Sequence, residues 1–177
     1  MTSVRKLIDN NTRCFVNECS GLIDGLFKGH ASYDHRAKEA DLMIDSIKDF
    51  MSKLEITILV WQKNINNKSF EDTAIDLEST NSSSECEASP PKKNPLLSPH
   101  EELKHKMENI MEFYSSIKQR IFLSGNLIYA KRLMGNLKYL KMEMENLIVI
   151  IQIRMEKEEK TFANAAAGKG HSSRNES

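Results

Sequence analysis

From Ala40 onward the apolar residues of this chain keep a seven-residue period. Ala40, Ile44, Ile47, Met51, Leu54, Ile58, Trp61 and Ile65 follow one another in alternating steps of four and three. An α-helix turns once in about 3.6 residues, so this spacing draws a narrow apolar stripe along one side, and such a stripe is covered by another helix. The stepping recurs at Ala130, Leu133, Leu137, Leu140, Met144, Leu147 and Ile151. A chain built on two seams of this kind folds by packing helix against helix.

The remaining apolar positions extend that pattern. Over 3–28, the residues Val4, Ile8, Phe15, Cys19, Leu22 and Leu26 share a helical stripe, widened by Leu7, Val16, Ile23 and Phe27. Gly29 suits a left-handed C-cap and Ser32 stands just before Tyr33 as an N-cap, which predicts a tight helical hairpin with its second arm over 33–65. Ser98-Pro99, followed by Glu101 and Glu102, starts a third helix: serine caps, proline fits the first turn, and the acids favour its positive end. Its seam runs Leu103, Met107, Ile110, Tyr114, Ile117, Ile121, and continuing that register would bring Ser124, Lys131 and Gly135 onto the seam. The phase therefore changes at Ser124-Gly125-Asn126, by a stutter with a kink or by a break into a second hairpin. Gly and Asn are the residues preferred at a C-cap, which favours the break.

The sequence thus predicts an all-α protein: a helical hairpin over 1–68, and a second long helix or hairpin over 100–160, joined by coiled-coil or bundle packing. Neither block alone is comfortably large for a core. Between Glu71 and Glu87 lie six acidic residues and no basic one, with the serine cluster SSSECEAS and then Pro90-Pro91. Such a composition buries too little apolar area to offset its ordering entropy, so 69–99 is expected to be a disordered linker. The stretch from Thr161 has no apolar periodicity, and 161–177 is expected to be a disordered tail.

Composition narrows the function classes. Lys plus Arg equal Asp plus Glu at 25 each, so no basic field draws the chain to nucleic acid, and direct binding is not expected. The longest apolar run, LIVII over 147–151, is far short of the roughly 20 residues of a membrane span. The start, MTSVRKLIDNN, lacks the apolar core of an export signal, which points to an intracellular protein with reduced Cys14, Cys19 and Cys86.

No motif has catalytic spacing. His30 and His35 flank a loop and Cys14 and Cys19 share a helix, but structural zinc ligands come two to four residues apart on a tight turn, so no metal is expected. Gly168-Lys169-Gly170 lacks the upstream glycine, preceding strand and following helix of a phosphate loop. No nucleophile stands in a recognisable context, and the expectation is a non-enzyme without cofactors.

Two features ask for more than a structural explanation. The windows ITILVW, over 56–61, and LIVIIQI, over 147–153, are apolar almost all round the helix and need neighbours on several sides. Those neighbours are either this chain's own four-helix core or a partner subunit. Ser89-Pro90-Pro91-Lys92 fits proline-directed kinases, Ser98-Pro99 is a weaker companion, and Ser82 and Ser84 each precede a glutamate by three residues. A phosphate on any of them would add nearly two negative charges to an acidic segment.

The function expected from these features is a non-catalytic helical subunit of a multi-protein assembly. Its expected partner interface comprises Ile47, Met51, Leu54, Ile58 and Trp61 on one seam and Leu137, Leu140, Met144, Leu147 and Ile151 on the other. Other helical subunits are the expected partners, with a hetero-oligomer ahead of a homodimer. The serine-proline sites favour the nucleus and a cell-division or transcription assembly; a cytoplasmic trafficking or cytoskeletal adaptor is the alternative. A self-contained four-helix bundle acting as a binding module is a further one, although the seams carry almost none of the ionisable residues such a module would use.

Overall fold

The computed structural model of the chain describes residues 4–67 and 97–168, so Ser82, Ser84, Ser89 and most of the expected linker lie outside the described residues. The described residues form four helices and no strand: α1 (Val4–Lys28), α2 (Tyr33–Asn67), α3 (Pro99–Ser124) and α4 (Leu127–Gly168). The chain is an all-α bundle.

The helix ends follow their local chemistry. Ser32 opens α2, its carbonyl accepting from the Arg36 amide at 3.0 Å and its hydroxyl from the His35 amide at 3.3 Å. Gly29 does not adopt the expected left-handed cap, because the one positive φ among the described residues is at Gly125, +66°. There α3 breaks. Asn126 then caps α4, its Oδ1 accepting from the amides of Ile128 at 3.1 Å and Tyr129 at 3.3 Å, so two residues separate the helices. At the start of α3, Glu101 reaches back to accept from the Ser98 amide at 3.0 Å and its hydroxyl at 3.0 Å. These bonds hold the Glu101 carboxyl below its ordinary pKa.

One boundary is corrected. The expected tail over 161–177 begins too early, since α4 continues to Gly168. Apolar periodicity stops at 160, but alanine needs none to remain helical, and FANAAAG supplies four. Phe162 stacks on Tyr33 with ring centroids 5.0 Å apart, tying this last stretch to the start of α2.

Cross-helix pairs fix the directions. Asp9–Arg132 and Asp24–Arg154 make α1 parallel to α4, and Glu39–His100 with Trp61–Lys118 make α2 parallel to α3. Thr12–Tyr114 and Glu18–Lys106 set α1 antiparallel to α3; Arg36–Glu158 and Glu55–Lys141 do the same for α2 and α4. Each arm of the first hairpin touches both α3 and α4 more than it touches its sister arm. The segments over 4–67 and 97–168 therefore interleave, and a single core takes residues from all four helices. The connection from α2 to α3 is a long crossover, because His100 lies beside Glu39, near the opposite end of α2 from Asn67.

Candidate interaction surface

The seams expected to bind a partner are filled from within. Ile47, Leu54, Trp61, Leu137, Leu140, Met144, Leu147 and Ile151 are buried in the chain's own core, and Met51 and Ile58 are half-buried against it. As a partner surface this set is therefore corrected. A heptad seam records that a helix packs on a helix, not whose helix it is, and here the other three helices of the same chain cover it. The third seam, from Leu103 to Ile121, is buried at all six positions.

Most of the large apolar residues left over among the described residues lie on α2 and α4. Ile56, Leu59 and Val60 stand out from α2, with Leu59 64% exposed. On α4, Tyr139, Met142, Val149, Ile150 and Ile153 are between 41% and 50% exposed. The two windows that read as apolar all round the helix contain Ile56, Leu59 and Val60 on α2 and Val149, Ile150 and Ile153 on α4, their inward members serving the core and their outward members facing solvent. Exposed apolar area of this extent along two helices marks an interaction site more often than an ordinary surface.

The outward residues of α4 are ordered. Tyr139, Met142, Asn146, Val149 and Ile153 recur in steps of three and four, each two places after an inward residue: Leu137, Leu140, Met144, Leu147 and Ile151. Two places is about 200° around the helix, so α4 carries a second heptad stripe on its back. Sequence reasoning named the inner stripe alone, although the same alternation in the outer one was there to be read.

A groove between α1 and α4, about 590 Å³ in volume, is lined by Asp9, Thr12, Arg13, Lys131, Arg132, Gly135, Asn136 and Tyr139. Arg132 donates to the Asp9 carboxylate at 2.5 Å and Asn136 to the same carboxylate at 3.3 Å. Asp9 is thereby committed to the helix contact. Beneath it, Tyr114 and Thr12 form a buried hydrogen bond, and Thr12 donates to the Ile8 carbonyl at 2.9 Å. Burial pushes the Tyr114 phenol up to about 12, tempered by the bond to Thr12.

The remaining polar candidates do not converge. Cys19 is fully buried, and burial, with a smaller contribution from Glu18, pushes its thiol far up, away from the thiolate a metal or nucleophile needs. His30 and His35 are exposed. Among the described residues, no group of three or more His, Cys, Asp or Glu is placed to hold a metal. No described helix is long and apolar enough to cross a membrane. Ser98 is partly buried, its hydroxyl engaged by Glu101 and His100. No protein-family model, curated protein or solved structure matches the chain.

Proposed function

We propose that the protein is a non-catalytic helical subunit of a multi-protein assembly, holding other helical proteins against the backs of α2 and α4. The observation that carries this reading is the outward apolar surface of Ile56, Leu59 and Val60 on α2 and of Met142, Val149 and Ile153 on α4, left over once the core is complete. The partners are other helical subunits, as in a hetero-oligomer. The setting is a nuclear or cell-division assembly, with the serine-proline and serine-acid sites of the 69–99 segment as points of phosphorylation.

The test is capture from cells with two surface variants, Ile56→Glu/Leu59→Glu and Met142→Glu/Val149→Glu, identified by mass spectrometry and located by microscopy. Both variants are expected to retain full helicity, with at least one losing a defined set of bound proteins. If both capture the same proteins as the parent chain, the reading fails.

A further inference from the structure

We infer that the back of α4 is the seat of a second copy of this chain, packed in parallel and in register as a two-stranded coiled coil. This rests on the reading of that face as an interface. The spacing of Tyr139, Met142, Asn146, Val149 and Ile153 makes Tyr139, Asn146 and Ile153 the a positions and Met142 and Val149 the d positions of a heptad. All five are exposed, so none of the described helices of the same chain occupies the seam. Its partner must be a helix with a matching repeat.

Charge and polarity then choose the partner and its direction. In a parallel pair, each g position faces the e position five residues on in the other helix, which sets Lys138 of one copy against Glu143 of the other, twice by symmetry. Lys138 is exposed and Glu143 partly so, on opposite borders of the stripe. At this pair the helix is electrostatically complementary to itself. Asn146, the central a residue, would meet Asn146 of the second copy, where each amide supplies the donor and acceptor the other needs. An antiparallel pair centred on the same stretch would bury that amide against Met142 and turn Glu145 toward Glu145 of the second copy. Ile150, at an e position, widens the apolar contact on one side.

The test uses the purified full chain. Light scattering across micromolar concentrations is expected to give about twice the 20.3 kDa of one chain, reverting to one chain in Met142→Glu/Val149→Glu with unchanged helicity. Lys138→Glu is expected to weaken the dimer about tenfold, and adding Glu143→Lys to restore it. Val149→Cys should yield an oxidised dimer absent from the parent chain under the same conditions, because in-register d positions face their own copies. A monomer at every concentration overturns the inference, as does a dimer that survives Met142→Glu/Val149→Glu or that Val149→Cys fails to cross-link. A monomeric chain whose surface variants still lose captured proteins would refute the second copy alone. Surface variants that lose nothing would refute the assembly reading itself.

Discussion

Leu147 and Val149 stand two residues apart on α4, one almost wholly buried against the other helices and the other half exposed on the back of the bundle. Two residues of the same chemical kind therefore answer to different neighbours. Replacing Leu147 by glutamate puts a charge without a partner into the core and is expected to cost about 3 kcal/mol or more, whereas Val149→Glu, compared at concentrations where the chain is monomeric, should change stability by about 0.5 kcal/mol or less. Chemical denaturation followed by circular dichroism measures both. Equal losses would mean that the two stripes are not distinct.

The hydrogen bond between Thr12 and Tyr114 supports an asymmetric prediction. In Tyr114→Phe the Thr12 hydroxyl keeps its bond to the Ile8 carbonyl, so no buried group is orphaned. In Thr12→Val the Tyr114 hydroxyl remains buried without an acceptor, at a cost of about 1 to 3 kcal/mol. The threonine variant is expected to be the less stable of the two, although each change removes one hydroxyl. Urea denaturation of both proteins decides the order.

The same tyrosine contributes to the alkaline limit. Its folded pKa is raised to about 12 from an ordinary value near 10, so between those values the unfolded chain releases a proton that the folded chain retains. The contribution of Tyr114 is fully present below pH 10 and is lost as pH rises toward 12. The Tyr114 share of the loss is on the order of 3 kcal/mol, and the buried Cys19 thiol, raised from an ordinary value near 9, adds a loss that begins at lower pH. Tyr114→Phe is expected to flatten this decline in pH-dependent denaturation; an unchanged slope would remove the assignment.

The helices were legible in the sequence because each has a seam of its own. Position for position, Leu103 to Ile121 and Ala130 to Ile151 are buried as their spacing implies, and the phase slip at Ser124-Gly125-Asn126 marks the turn. Periodicity gives the face of a helix but not the identity of its neighbour, which is why Leu54 and Leu140 read as sites for another protein. Thr12 escaped notice because a polar residue interrupts the apolar stripe of α1, and its burial is satisfied by the Ile8 carbonyl one turn back and by Tyr114 on α3, across the bundle. The end of α4 was placed too early for the converse reason, since alanine propensity extends a helix beyond its apolar face. The interleaving of the two hairpins left no trace in either seam. It is set by pairs such as Asp9–Arg132 and Glu39–His100, whose partners lie far apart in sequence.

The crossover from α2 to α3 has a minimum length. Glu39, which holds His100 at the start of α3, lies 28 residues before Asn67, a rise of about 42 Å along α2. An extended chain covers roughly 3.3 Å per residue, so at least about 13 residues are needed to join the ends, and the stretch over 68–96 has 29. Shortening it to a glycine-serine linker of about 20 residues should leave stability within about 1 kcal/mol, because loop-closure cost varies slowly with length. A linker of about six residues cannot reach. Its α3 and α4 are expected to pair with α1 and α2 of another chain, giving a swapped dimer with native helicity. Thermal melts and light scattering on the Met142→Glu/Val149→Glu background, which removes the α4 contact, separate the cases. A stable monomer with the six-residue linker would show that α2 and α3 do not run parallel.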